Sequence, residues 1–207
     1  SMFDYFKDDA NREVLARVFT ALATHDQQLS EVAELCADLN SRSAKRLGPD
    51  YERRLQAFRK INEEMSQTLS AQQWRPLLYN MLFYVKDEEE LAIRSSATFG
   101  LKRFIEKATT ETGQEGFEAL VNDVLLPSVK YGIRQKSELI RSEIVTVLGY
   151  FIKLNPTRPS VQDMHVLLVG DDDEASFFNN ILHIQQHRRM RALRRLAAEA
   201  GKGNIES

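Results

Sequence analysis

Residues 125–144 read LLPSVKYGIRQKSELIRSEI, and the chain carries an earlier version of them. Slid back by 47 positions without a gap, the stretch and its continuation place Leu125 on Leu78, Tyr131 on Tyr84, Ile140 on Ile93 and Arg141 on Arg94. Ser142 then falls on Ser95, Leu148 on Leu101, Phe151 on Phe104 and Ile152 on Ile105. A period of this length belongs to helix pairs stacked in series, since each pair has an apolar face that only its neighbours can bury. The same step from Arg141 reaches Arg188, in a third copy whose later apolar positions slip out of register.

Helical spacing recurs on both sides of the repeat. Val14, Leu15, Val18, Phe19 and Leu22 predict an amphipathic helix behind an Asp8-Asp9 cap, and Leu29, Val32, Ala33, Cys36 and Leu39 a second, capped by Asp26. Residues 40–50 are turn-rich and basic, an exposed loop with Pro49 as the first residue of a third helix through Tyr51, Leu55, Phe58, Ile61 and Met65. Ser70 and Gln73 form a capping box for a fourth, through Trp74, Leu77, Leu78, Met81 and Leu82. The acids of residues 87–90 open a fifth helix through Ile93, Ala97, Leu101, Phe104 and Ile105. A sixth, through Phe117, Leu120, Val121, Val124 and Leu125, should bend at Pro127. Leu139, Ile140, Ile144, Val147, Leu148 and Phe151 mark a seventh, ended by NPTRP at 155–159.

Beyond it, residues 161–169 predict a short helix, 175–183 an outer helix and 187–200 an inner one. A single long helix through Ile184 is the alternative, since no Gly or Pro interrupts it. The fold expected is all-α, one array over 1–207 with approximate units 9–69, 70–108, 114–155 and 160–200. Ser1 before Met2 reads as the remnant of a cleaved tag, and the chain as a piece of a longer protein.

Composition narrows function. A formal charge of −2 excludes a globally basic nucleic-acid binder, so any contact with RNA needs a local patch. The lone Cys36 makes no intrachain disulfide and suits a reducing compartment as a small buried side chain. No apolar run of about 18 residues spans a membrane. There is no Gly-x-Ser-x-Gly elbow, phosphate loop or Gly-x-Gly-x-x-Gly, hence no catalytic residue, cofactor site or small-molecule substrate to name. His183 and His187 stand four apart but lack the glutamate of a zinc-protease helix, and no metal site is assigned.

Residues 171–196 read DDDEASFFNNILHIQQHRRMRALRRL, acid first, apolar in the middle and basic at the end. On a helical wheel Met190, Leu193, Leu196 and Ala197 share one face, while Arg188, Arg191 and Arg195 form a stripe on the other. The stripe is the candidate contact for RNA phosphate or an acidic partner. Arg189 falls beside Leu193 and Leu196, and is expected to turn inward to a carboxylate among Asp171 to Asp173.

Two resemblances add to this reading. An outer helix with a proline, a short turn, and an inner helix opening on an aliphatic-arginine pair (Ile93-Arg94, Ile140-Arg141) resemble the HEAT repeat, a relative of armadillo units. That family places an aspartate in the turn to pair with the arginine; here Asp87 lies one residue off and Gln135 occupies the second turn. Arg94, Arg141 and Arg189 are accordingly taken as structural. The segments FFNNILHIQ at 177–185 and HRRMRAL at 187–193 resemble the very large HEAT-repeat protein family of the small-subunit processome, called "down-regulated in metastasis" (DRIM). This resemblance implies a nucleolar scaffold without catalysis, acting in pre-18S ribosomal RNA processing. Its implied partners are other processome proteins and, through the basic stripe, pre-rRNA or snoRNA. The other class considered is a HEAT adaptor such as a nuclear transport receptor or a phosphatase regulatory subunit.

Overall fold

The computed structural model describes residues 2–43, 48–170 and 172–205. Lys45, Arg46 and Asp171, part of the basic loop and of the carboxylate cluster considered above, lie outside them. The chain divides into two compact units, Ser1–Pro127 and Ser128–Ser207. Both are helical; the one sheet among the described residues pairs Arg42–Ser43 (β1) antiparallel with Gly48–Pro49 (β2). None of the described helices is long and apolar enough to cross a membrane.

The first unit runs through α1 (Met2–Tyr5), α2 (Asp9–Ala23), α3 (Gln27–Leu39), α4 (Tyr51–Arg59), α5 (Ala71–Tyr84), α6 (Leu91–Thr110) and α7 (Glu115–Ala119). Helix starts follow the capping chemistry. Asp8 accepts from the Asn11 amide at 3.0 Å, and Asp26 from those of Gln28 and Leu29. Ser70 and Gln73 complete the capping box. Pro49 is not the first helical residue: it lies in β2, and Asp50 caps α4 by accepting from the Arg53 amide at 3.2 Å. An Asp side chain can close the first turn, which a proline ring cannot.

Two helices widen into π turns. α4 continues as Lys60–Met65, burying Ile61 and Asn62, and α7 as Leu120–Leu125, before α8 (Leu126–Gly132). The second π turn lies just before Pro127, whose ring and missing N–H are incompatible with the regular bond to the carbonyl four residues back.

The first core gathers Phe58, Ile61, Leu77, Leu78, Met81 and Leu101 around Trp74, whose ring meets Phe104 edge-on at 5.3 Å. The indole N–H is satisfied by the Ser66 carbonyl at 3.2 Å. Gly100 lets α6 close on α5, for a Cβ there would sit 2.5 Å from Met81 Cε.

The second unit holds α9 (Glu138–Leu154), a 3-10 helix Gln162–Leu167, α10 (Phe177–Asn180) and α11 (Gln186–Gly201). Its core joins Ile144, Val147, Phe151 and Ile152 to Leu167 and Phe178. Gly149 is the point of closest approach, since a Cβ would lie 2.6 Å from that of Phe178. Leu148 is only half-buried and Leu139 is exposed, so the apolar spacing of this helix overstates its core. The 161–169 helix shortens to the 3-10 segment, and the outer helix expected over 175–183 to four residues. The single long helix is ruled out. Its break at 181–185 is held by the Gln185 amide donating to His183 Nδ1 at 3.1 Å, and by an arginine described next.

Candidate interaction surface

Three arginines occupy one structural position. Arg94, Arg141 and Arg189 each stand four residues after the N-cap of α6, α9 and α11, namely Glu90, Ser137 and Gln185. Each reaches back to the turn before its helix. Arg94 Nη1 donates to the Asp87 carbonyl at 2.7 Å. Arg141 Nη1 donates to those of Gln135 and Lys136 at 2.8 and 2.7 Å. Arg189 Nη1 donates to those of His183 and Ile184 at 2.7 and 2.9 Å. The cation thus binds carbonyls that the preceding helix and turn leave open, a charge-assisted bond requiring no aspartate.

This corrects two expectations. The third copy registers on Arg189, 48 residues after Arg141, not on Arg188. Nor does Arg189 use Asp172 or Asp173: the first accepts from the amides of Glu174 and Ala175, the second from Lys153 Nζ at 2.9 Å.

The proposed basic stripe is rearranged as well. Arg188 donates to Asn180 Oδ1 at 2.5 Å and to the Glu174 carboxylate at 2.7 Å. Arg195 Nη2 donates to the carbonyls of Val166 and Leu168 at 2.5 and 2.7 Å. Both are partly buried, so α11 turns Arg188, Ala192 and Arg195 inward. Met190 and Leu193, assigned to the core by the wheel, are 41% and 46% exposed. Carbonyl acceptors on neighbouring segments reward guanidinium burial more than this helix's small apolar stripe rewards its own. Arg191 and Arg194 remain exposed, and neither makes a hydrogen bond or ion pair among the described residues. His183 lies in the turn and His187 in α11, so they do not share one helix. No group of three or more His, Cys, Asp or Glu among the described residues could hold a metal ion.

The first unit contains a polar centre that the sequence reading missed. Arg12 of α2 is fully buried. Its Nε donates to Asn40 Oδ1 at 2.9 Å, its Nη2 to Asn80 Oδ1 at 2.6 Å and its Nη1 to the Phe3 carbonyl at 2.6 Å. The guanidinium also lies 3.7 Å from the centroid of the Phe83 ring. Tyr84 Oη donates to the Leu39 carbonyl at 2.7 Å, and Arg54, buried beside it, pairs with Asp9 at 3.3 Å. Burial lowers the Arg12 pKa, pushes the Cys36 thiol up and raises Tyr84 to about 12. The signal was present: Arg12, Ala16, Thr20 and Ala23 run along one face of α2, and small residues at helical spacing mark close packing. Their counterpart, the stripe of Val14, Val18 and Leu22, is 58%, 48% and 69% exposed. The helix is therefore rotated relative to its apolar periodicity: Leu15 and Phe19 of the same stripe are half-buried, and Phe19 meets the Phe3 ring edge-on at 6.2 Å.

An all-α chain with an internal repeat, whose arginines fasten the turns between helices, is a helical-repeat protein. Residues 1–137 match the family model described as U3 small nucleolar RNA-associated protein 20, N-terminal, and the chain belongs to that family. The U3 small nucleolar RNA-associated protein 20 of Schizosaccharomyces pombe is 43% identical over 198 residues, 95% of this chain and 8% of the relative. That of Saccharomyces cerevisiae is 35% identical over 205 residues, 97% of this chain and 8% of the relative. The chain thus spans a small fraction of the length of the curated relatives it matches.

Proposed function

We propose that this chain acts as a non-catalytic scaffold segment in small-subunit ribosome biogenesis, within the nucleolar processome that matures pre-18S ribosomal RNA. The observation that carries this reading is its family, together with the two relatives named for association with U3 small nucleolar RNA. The likeness of 177–193 to the DRIM family agrees with it. In this reading the units 9–69, 70–108, 114–155 and 160–200 form one HEAT-type solenoid, and Arg94, Arg141 and Arg189 hold its turns in shape. Processome proteins are its principal partners.

Any contact with pre-rRNA or snoRNA falls to the part of the Arg188, Arg191 and Arg195 stripe that the protein does not itself use. Arg191, joined by Arg194 one turn on, offers free guanidinium groups for phosphate.

Affinity purification of the tagged chain from cells tests the assignment. Enrichment of U3 small nucleolar RNA and 18S precursors is expected, and their absence, with a small GTPase or phosphatase catalytic subunit recovered instead, overturns it. For the contact, RNA affinity is measured against salt with Arg191→Ala and Arg194→Ala combined. The slope should fall by roughly two units, one per phosphate lost. An unchanged slope removes these arginines from the interface.

A further inference from the structure

The exposed stripe of α2 borders an apolar groove within the first unit. Leu15, Val18, Phe19 and Leu22 of α2, Leu29 of α3 and Pro76 of α5 line a cavity of about 330 Å³. Its polar lining is Gln72 and Arg75, both from α5. Arg75 is exposed and makes no hydrogen bond or ion pair among the described residues.

α3, α4, α5 and α6 of the same unit bury apolar side chains such as Val32, Phe58, Trp74 and Leu101. α2, the first long helix, instead buries Arg12 and Ala16 and leaves Val14, Val18 and Leu22 outside at intervals of four. Residues four apart form a ridge of the kind that packs between the ridges of a second helix. An apolar face of this kind beside a groove marks an interaction site.

We infer that this groove seats an amphipathic helix that brings a carboxylate to Arg75, and that the helix is supplied by the same polypeptide in proteins of the relatives' length. The charge follows from the lining: the one charged group there is an unpaired guanidinium, which a carboxylate matches in charge and in fork geometry. The source follows from the relatives. The aligned segment is 8% of each, so most of their polypeptide lies outside it. In repeat arrays each unit is covered by its neighbours in sequence. A tethered helix also meets the groove at an effective concentration that a free partner seldom reaches. The inference rests on membership of the family and is independent of any RNA contact.

The test is cysteine labelling at the centre of the stripe. Val18→Cys in the 207-residue chain, half-exposed and outside the core, should react with a maleimide as fast as a solvent-exposed control cysteine. In the full-length S. pombe relative, a cysteine at the position aligned with Val18 should react roughly tenfold more slowly or worse, because a tethered helix covers it. With this chain grafted in place of the relative's aligned segment, Arg75→Glu should restore fast labelling. Equal rates in both proteins overturn the inference, since the face is then open to a separate partner. Slow labelling of the 207-residue chain with a dimer in analytical ultracentrifugation also overturns it, by making a second copy the occupant. Slow labelling of the graft that Arg75→Glu leaves unchanged removes the carboxylate.

Discussion

Arg12 Nη2 donates to Asn80 Oδ1 across 68 residues of sequence, at 2.6 Å and wholly out of solvent. The same guanidinium holds Asn40 and the Phe3 carbonyl, so one cation ties α1, α2 and α5 to the end of α3. Removing it takes a charged donor from both amide oxygens and from the Phe3 carbonyl, leaving Asn80 Oδ1 with Asn40 Nδ2 at 2.8 Å and Asn40 Oδ1 with the Tyr84 hydroxyl at 3.0 Å. Arg12→Ala is expected to cost about 3 to 5 kcal/mol, from the loss of charge-assisted hydrogen bonds worth roughly 1.5 kcal/mol or more each and from the space the side chain leaves. Arg12→Lys should recover little, because an ammonium lacks the planar fork. Urea unfolding monitored by circular dichroism measures both. Near wild-type midpoints would mean that Arg12 is replaceable packing.

The turn before α11 should be the most sensitive to its arginine, since Arg189 bonds both carbonyls of a segment with no outer helix longer than α10. Arg189→Ala is expected to lower stability by about 1 to 2 kcal/mol. Faster amide hydrogen exchange around residues 181–189, with protection of the first unit unchanged, is the local signature to look for.

Phe151 and Leu148 separate core from apparent core. Phe151 is 2% exposed and packs in the second unit, whereas Leu148 is half-buried. Phe151→Ala should therefore cost about 3 to 5 kcal/mol, the loss of a large buried ring and the cavity it leaves. Leu148→Ala should cost about half as much or less. Equal losses in calorimetry would place Leu148 deeper than this packing does.

Gly149→Ala should act through crowding rather than through helix propensity. The added Cβ would lie 2.6 Å from Phe178 Cβ, so α9 and α10 must part. A loss of about 1 to 3 kcal/mol is expected, although alanine favours a helix interior by about 1 kcal/mol. An increase in thermal stability would contradict the close approach.

Alkaline pH should loosen the first unit. Burial raises Tyr84 from 10.0 to about 12 and also raises Cys36. For an acid whose folded pKa lies above its unfolded value, the stabilisation is complete below the unfolded pKa and is lost as pH rises through the folded one. Stability should thus hold up to about pH 9 and fall towards pH 12, with Tyr84 contributing up to about 2 to 3 kcal/mol. Tyr84→Phe should flatten the upper part of that fall in urea midpoints measured against pH.

The sequence alone determined the long helices, several of their starts and the repeat of Arg94 at Arg141, though not the start of α4 or the short elements between α9 and α11. Asp8, Asp26 and the Ser70-Gln73 box work through bonds of two or three residues' reach, and the match of Arg94 to Arg141 needs only a period. These are local signals, and the structure carries them. Even so, equivalence in the repeat did not guarantee equivalence in burial: Tyr84 is buried in a polar centre, while Tyr131 at the matched position is 63% exposed.

Only the tertiary structure decided which way α2 and α11 face. A helical wheel finds an apolar stripe and an arginine-bearing face, but it does not know what acceptors stand opposite. Asn40 and Asn80 make a buried site for Arg12, and the carbonyls of Val166 and Leu168 make one for Arg195. Those acceptors come from residues 27 to 68 positions away, beyond the range of any local pattern. A guanidinium with its donors matched can be buried, and its helix then turns the apolar stripe outward. That rotation uses Arg188 and Arg195 internally, leaves Arg191 and Arg194 exposed, and opens the groove beside Val18.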